Sequence, residues 1–437
     1  MWETRMPPRN PYIVMPRDAV TKIAGSDLSR GSLVLRRAPA DDMYVVQAVE
    51  TGKDIRLPAE VPREYAALRS GDPHHAAQWI RVAPNDAHLH HLFLSRRPDV
   101  SIGFKDFREL VPGVADPGNN LGVVVTHDPD LPPELVEAGA SEFAGWAVRR
   151  DGVEPLPIEI EPEVVGLAQL AGKWPIEQLA TNSVMVVGCG SIGSAAAEAL
   201  AGYGVGRVEL VDPDRFLWHN MLRHALGAES VGRFKVAAMK DHLARHWPQQ
   251  TVVAHRRDVV AEAHHIRPIV NSVDLVLCAA DGIAPRRVVS HLSRRAQKAA
   301  VLACVLDSGS IGEVIRLRPT SRFGCLLCLR QQLADQGAMD AEADQELEYG
   351  TGRVHQPMTA VPPDLRYIGT FAAKVAVATL LESLHGDHTQ QVPGEHAIIG
   401  LQPAGDLAAP FNLSQAGDVR WSSIPRPRTS CPTCSPG

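Results

Sequence analysis

The chain has 437 residues, 45% hydrophobic and 22% charged, with a formal net charge of −6. That is a globular composition, long enough for two or three domains. The acidic balance speaks against general nucleic-acid binding. No uninterrupted apolar run approaches the roughly 18 residues of a membrane span, and the N-terminal MWETRMPPRNPYIVMPRD lacks the apolar core of a secretory signal. A cytoplasmic protein is expected.

Over residues 1–82 short apolar stretches alternate with Pro and Gly. Gly31–Arg36, Met43–Ala48 and Asp54–Leu57 read as strands, and Arg63–Arg69 as a helix. The His-rich stretch Asp86–Ser95 raises a metal reading through His88, His90 and His91. No acidic partner stands at a ligand spacing, so a surface strand or helix with scattered His is the expectation. Leu121–Thr126 and Phe143–Arg149 are stronger strands. The first runs into His127-Asp128-Pro129-Asp130, and this pair is similar to the JAMM/MPN isopeptidase domain. Val125 stands at the first His position of that family's H-x-H-P, Asp128 intrudes before the Pro, and no S-x-x-D follows. The resemblance therefore implies a degenerate, non-hydrolytic copy. A peptide-recognition or other substrate-docking domain is the alternative. The acidic, Pro-rich segment Asp151–Pro162 reads as a linker, which places an α+β N-terminal domain at 1–160 and a second domain at 161–437. Val164–Ala180 reads as helix with a break at Pro175.

Ser183–Val187 is a short apolar run, the mark of a buried parallel strand. It leads into Gly188, Gly190 and Gly193, an Ala-rich helix, and a second strand, Arg207–Val211, ending in Asp212. Glycines at this spacing let backbone and helix N-terminus approach phosphate, and the acid suits a ribose hydroxyl. Thr251–His255, Val273–Ala279 and Ala300–Leu306 read as further strands, with a basic helix over Pro285–Lys298. Ile311–Arg318 alternates and should be antiparallel. Gly337–Glu348 reads as an acidic excursion. Ile368–Leu384 has the spacing of a core-facing helix, and late strands are expected at Glu395–Leu401 and around Trp421. Strands alternating with helices define a doubly wound, Rossmann-like α/β sheet.

A glycine turn alone fits NAD or FAD. Asp214, Asn220, Arg223 and Lys235 follow it, however, and a dehydrogenase needs no such cations. An ATP triphosphate does, because charge develops as pyrophosphate leaves. Asp281 stands at the C-terminal end of a buried strand, where a Mg2+ facing phosphates would be held, and Arg286 follows five residues later. The series Gly188/Gly190/Gly193, Asp212/Asp214/Asn220/Arg223, Gly232/Lys235 and Asp281/Arg286 resembles the ThiF/MoeB/HesA adenylyltransferases, the fold of ubiquitin-activating enzymes. The resemblance covers residues 165–437. It implies that Asp212 holds the ribose, that Asn220, Arg223 and Lys235 contact the phosphates, that Asp281 binds Mg2+, and that Arg286 belongs to the nucleotide site. Arg223, Lys235 and Asp281 would be the catalytic residues, and the chain a homodimer.

The seven cysteines all lie at or beyond Cys189. Cys325-x-x-Cys328 and Cys431-x-x-Cys434 supply four thiolates for a closed tetrahedral Zn2+, and the family has a structural zinc in matching places. Three features depart from it. The crossover segment His355–Gly369 has no Cys for a thioester. Residues 164–180 hold Lys173 and no Arg, where the family has an Arg that reaches across a dimer. Leu222 and His224 replace polar residues of N-x-N-R-Q. The expectation is thus ATP-dependent adenylation of the C-terminal carboxylate of a ubiquitin-like or sulfur-carrier protein. The alternatives are adenylation of a ribosomal peptide, as in the microcin pathway, a peptide-binding scaffold, or an NAD oxidoreductase.

Overall fold

The structure is a computed structural model that describes residues 12–38, 43–53, 55–61, 66–69, 71–82, 86–97, 100–164, 166–338 and 360–435. Its contacts divide the chain into two compact units, residues 1–165 and 166–437.

The first unit is one mixed sheet with helices on both faces. Its elements are β1 (Tyr12–Met15), α1 (Arg17–Ala24), β2 (Arg30–Ala38), β3 (Met43–Gly52), β4 (Ile55–Pro58), β5 (Asp72–Arg81), α2 (Ala87–Ser95), α3 (Phe104–Leu110), β6 (Gly122–His127), α4 (Pro133–Glu137), β7 (Phe143–Val148), β8 (Val153–Leu156) and β9 (Ile158–Ile160). The strand order is β8-β7-β6-β5-β2-β3-β1-β9, with β4 on β3. Side-chain alternation splits the core. Trp79, Val123 and Val125 pack with α1 through Ala19 and Ile23. Ile80, Val124 and Trp146 pack with α2 and α3 through Leu94 and Phe107.

Residues 151–162 are therefore not a linker. They form β8 and β9, the two edge strands of this sheet. The prolines misled: Pro155 lies on an edge strand opposite Trp146, where a missing N–H costs no ladder bond. The helix expected at 63–69 is a single 3-10 turn, Ala66–Arg69. Residues 63–65, like Asp54 and the excursion beyond residue 338, lie outside the described residues.

The second unit is doubly wound. Its elements are α5 (Ile176–Ala180), β10 (Ser183–Val187), α6 (Ser191–Tyr203), β11 (Arg207–Val211), α7 (Lys235–His246), β12 (Thr251–His255), α8 (Ala263–Ser272), β13 (Leu275–Cys278), α9 (Ile283–Arg295), β14 (Ala299–Leu306), β15 (Ile311–Leu317), α10 (Leu326–Asp335), α11 (Pro362–His385), β16 (His396–Gly400) and β17 (Val419–Ser422). The order β12-β11-β10-β13-β14-β15-β16-β17 runs parallel as far as β14 and antiparallel beyond it. The chain leaves β10 to one side for β11 and returns on the other for β13. That switch point opens a crevice at the carboxyl ends of β10 and β13. One face is covered by α6, α7 and α11, the other by α8, α9 and α10.

Two details differ from the sequence pattern. Strand β15 is buried along its whole length, although its residues alternate between apolar and charged types. Its Glu313 and Arg316 are fully buried because each meets a charged partner inside the fold. Helix α11 is long and apolar enough, by length and composition, to cross a membrane, with a mean hydropathy of 1.3. Here it is the central core helix, burying Ile368, Ala372, Val375, Leu380 and their neighbours.

Helix α11 touches α6 closely at Gly369, where an added Cβ would lie 2.3 Å from the Ile192 carbonyl oxygen and 2.9 Å from Ala195 Cβ. Gly369→Val is expected to cost roughly 2–3 kcal/mol in urea unfolding. At Gly202 of α6 an added Cβ comes no nearer than 3.8 Å to its neighbours, so Gly202→Ala is expected to stabilise by about 0.5–1 kcal/mol in the same assay. Equal effects of the two variants would contradict this packing.

Candidate active site

The turn after β10 carries the three expected glycines, and each is required for a different reason. Gly188 has φ +85, and a Cβ there would sit 2.6 Å from the Ala280 backbone, in the segment leaving β13. A Cβ on Gly193 would lie 1.8 Å from the Gly188 carbonyl oxygen. A Cβ on Gly190 would meet nothing within 4 Å. The chain's own packing thus demands Gly188 and Gly193, while Gly190 faces open space at the N-terminus of α6. This helix has no acidic residue in its first turn. Its unpaired N–H groups face that space, as an anion site requires.

Asp212 is buried, and backbone donors engage both of its oxygens. Oδ2 accepts the Cys189 N–H at 2.7 Å and Oδ1 the Asp214 N–H at 2.8 Å. In this structure Asp212 braces the glycine turn. Burial raises its pKa, and nearby Lys235 works against that rise. Lys235 Nζ lies 2.9 Å from Asp214 Oδ2 and 3.9 Å from Asp212 Oδ1. Burial pulls its ammonium toward neutrality, but Asp212, Asp214 and Asp281 outweigh burial and raise its pKa.

Asp281 follows β13 across the crevice. The residue as a whole is exposed to solvent, and its carboxylate accepts no hydrogen bond from the described residues. Desolvation of the carboxyl raises its pKa, while Lys235 and Arg223 oppose the rise. Asn220 is buried, and its Oδ1 accepts the Leu217 N–H at 2.9 Å. Its carbonyl accepts the N–H groups of Arg223 and His224, each at 3.1 Å. Asn220 therefore shapes the turn that presents Arg223.

Arg286 is the exception. It was expected at the nucleotide, yet it is fully buried, with Nη2 donating to Glu313 Oε2 at 3.0 Å. Arg330 and His396 approach the same carboxylate at 2.5 Å and 2.9 Å. Arg330 and His396 hold Glu313 well below the usual carboxylate range, against a burial that alone would raise it. Arg286 thus locks α9, the helix after Asp281, to β15, β16 and α10. Its spacing from Asp281 is a framework feature.

The four cysteines converge. Sγ separations are 3.5 Å for Cys325–Cys431, 4.0 Å for Cys325–Cys328 and 3.9 Å for Cys328–Cys434, and all four sulfurs lie within 4.8 Å of one another. Those distances are far too long for disulfides. They match the edges of a thiolate tetrahedron around a metal, about 3.8 Å for a Zn–S bond of about 2.3 Å. Burial would raise the Cys328 thiol, but N–H groups of Arg428 and the Cys325 turn overcome it and bring the pKa to about 7. The remaining cysteines are buried thiols. Burial raises Cys189 well above its usual value and Cys278 to about 11. Cys304 Sγ lies 3.6 Å from Glu313 Oε2.

In the first unit the histidines serve the fold. His88 is buried, not on the surface, with Nδ1 2.7 Å from the Ser141 carbonyl and Nε2 3.0 Å from Thr126 Oγ1. His91 Nε2 meets the Gly145 carbonyl at 3.0 Å. His127 stacks on Phe143 and pairs with Glu142 at 2.7 Å. Among the described residues, only the four cysteines bring three or more metal-ligand side chains together.

Sequence reasoning missed Glu313, whose partners are separated by up to 83 residues. It also gave His224 no role beyond a departure from pattern. The only available signal was a charged residue in an apolar strand for the first, and an imidazole beside Arg223 for the second.

Residues 164–399 match the ThiF family, and the chain belongs to it. Among its relatives, the sulfur carrier protein ThiS adenylyltransferase of Escherichia coli is 26% identical over 260 residues, covering 59% of this chain and 88% of that protein. The adenylyltransferase and sulfurtransferase uba4 of Aspergillus niger is 33% identical over 130 residues, 30% of this chain and 27% of that protein. The uncharacterized protein y4oA of Sinorhizobium fredii is 28% identical over 167 residues. The chain spans only about a quarter of the length of these last two, 28% of y4oA and 27% of uba4. Among solved structures, Escherichia coli MccB aligns over 60% of this chain and 67% of its own, at 18% identity and a TM-score of 0.46.

Burial pushes His91 and His224 down to about 4. Both lie below the ordinary value near 6.5, so between about pH 6.5 and 4 the unfolded chain takes up protons that the folded chain does not. Their contribution to stability is therefore lost as pH falls through that window. Urea unfolding at pH 7, 6 and 5 checks this, because His224→Gln is expected to show a shallower loss than the wild type. An unchanged slope would contradict it.

Proposed function

We propose that this chain is an ATP-dependent adenylyltransferase acting on the C-terminal carboxylate of a small ubiquitin-like or sulfur-carrier protein. The observation that supports the reading best is that Asp281, beside the glycine turn, lies within electrostatic reach of both Lys235 and Arg223. A nicotinamide dinucleotide gives that set of charges nothing to do. A triphosphate losing pyrophosphate needs all three.

The open space at Gly190 and the N-terminus of α6 would receive the phosphates. Lys235 and Arg223 would neutralise the α-phosphate oxygens and the leaving pyrophosphate. Asp281, solvent-exposed and without a hydrogen bond from the described residues, would hold Mg2+, which supplies further neutralisation of phosphate charge. A carboxylate oxygen of the substrate attacks the α-phosphorus. The bond from that phosphorus to the bridging oxygen of the β-phosphate breaks, and pyrophosphate leaves with the electron pair. The carboxylate enters ionised, so catalysis rests on positioning and charge and requires no general base.

Burial raises the thiol pKa of Cys189 and Cys278, and Cys304 is buried against Glu313, so transfer of the acyl group would fall to a thiol on a partner. The four-cysteine cluster would hold a structural Zn2+, tying the C-terminal segment to α10. The first unit would dock the substrate, and the chain would act as a homodimer.

The test is isotope exchange between pyrophosphate and ATP in the presence of candidate carrier proteins or peptides. Exchange is expected with a protein ending in a free carboxylate tail. Lys235→Ala and Arg223→Ala should lower it by about 100-fold or more, and Asp281→Ala should abolish it. Exchange supported only by short peptides would move the assignment to peptide activation. Unchanged exchange in Asp281→Ala would remove the metal assignment. Elemental analysis should find one zinc per chain, lost in Cys431→Ser. No zinc in the wild type would overturn that site.

A further inference from the structure

His224 makes contacts that no role assigned so far explains. It follows Arg223 directly and is 2% exposed. Its Nε2 lies 2.6 Å from the Cys189 carbonyl oxygen, in the middle of the glycine turn. Its Nδ1 accepts the Leu226 N–H at 3.1 Å. Together these bonds define the ring as neutral, with the proton on Nε2 donated to the turn. The ring stands edge-on to Phe216 at 5.1 Å. Its backbone is held at both ends, since its N–H donates to the Asn220 carbonyl and its own carbonyl accepts from Arg366 Nη2 of α11, each at 3.1 Å.

The Cys189–Gly190 peptide bond is trans, the one cis bond among the described residues being Ala409–Pro410. In a trans peptide the C=O and the following N–H point in opposite directions. Pinning the Cys189 carbonyl to His224 therefore turns the Gly190 N–H the other way. That N–H makes no hydrogen bond to the described residues, and Gly190 is the glycine beside open space. On the other side of Cys189, Asp212 holds its N–H. Asp212 and His224 together leave this stretch no freedom to flip.

We infer that His224 is a positioning residue: through the Cys189 carbonyl it aims the Gly190 N–H at the phosphates of the nucleotide and ties that donor to Arg223 on the neighbouring residue. The inference rests on the reading of this turn as a triphosphate site. One bond thereby couples the backbone donor to the residue next to the cation. A neutral ring suits this task, because a second proton on Nδ1 would face the Leu226 N–H. Burial, which disfavours the charged ring, works in the same direction.

The test compares His224→Gln and His224→Met, side chains of similar length that differ in carrying an N–H donor. Calorimetric titration with MgATP and with adenosine is run on both variants and on the wild type. MgATP is expected to bind His224→Gln within about threefold of the wild type and His224→Met about tenfold more weakly, the loss of one hydrogen bond. Adenosine, which has no phosphate, is expected to bind all three alike. Equal MgATP affinity in the two variants, or a parallel loss of adenosine and MgATP, would overturn the positioning role. Failure of the wild type to bind MgATP would instead overturn the triphosphate site itself. If either variant does not fold, nitrogen NMR of histidine-labelled wild-type protein decides. A neutral Nε2–H ring whose signal moves on adding MgATP supports the inference, and an Nδ1–H ring or an unmoved signal refutes it.

Discussion

The buried carboxylate of Asp212 is the interaction on which the site depends. It sits at the end of β11 and takes one N–H from Cys189 and one from Asp214. The first bond sets the glycine turn after β10, and the second starts the loop that carries Asn220, Arg223 and Lys235. A buried carboxylate with both oxygens engaged by backbone donors is satisfied only in one geometry. The ends of two parallel strands are therefore locked in register, with the Lys235 ammonium 3.9 Å away to offset the charge.

Around that lock, the rest of the second unit keeps the crevice from moving. Gly369 lets α11 lie directly on α6, so the helix that begins at the turn is held along its length. On the other face, Glu313 gathers Arg286, Arg330 and His396 and joins α9, α10, β15 and β16. Breaking one member of such a network would leave buried charge uncompensated, which makes it rigid and unforgiving of substitution. Helix α9 leads away from Asp281, and α10 starts just after Cys325 and includes Cys328, so Asp281 and the cysteine cluster share one support.

Much of this was legible in the residues. The spacing of Gly188, Gly190, Gly193 and Asp212 located the turn, and the cations beyond it separated a triphosphate reading from a dinucleotide one. The paired Cys-x-x-Cys motifs located a cluster spanning about a hundred residues. What stayed hidden depends on contacts across the chain. The pairing of β9 with β1 joins residues near 158 to residues near 13, and a local reading of prolines made the same segment a linker. Strand β15 looked half-exposed because Glu313 and Arg316 alternate with apolar residues, and only their distant partners allow both faces to be buried. Arg286 kept the right spacing from Asp281 but points into the core. Local patterns disclose backbone turns and ligand spacings, whereas side-chain direction is settled by packing.

The central claim is that a substrate carboxylate attacks the α-phosphorus of ATP at this turn. A carrier protein labelled with heavy oxygen in its C-terminal carboxylate tests it directly, with MgATP and hydroxylamine to release the activated acyl group. The expected result is AMP carrying one labelled oxygen from the carrier. AMP without label, or ADP in place of AMP, would contradict the account.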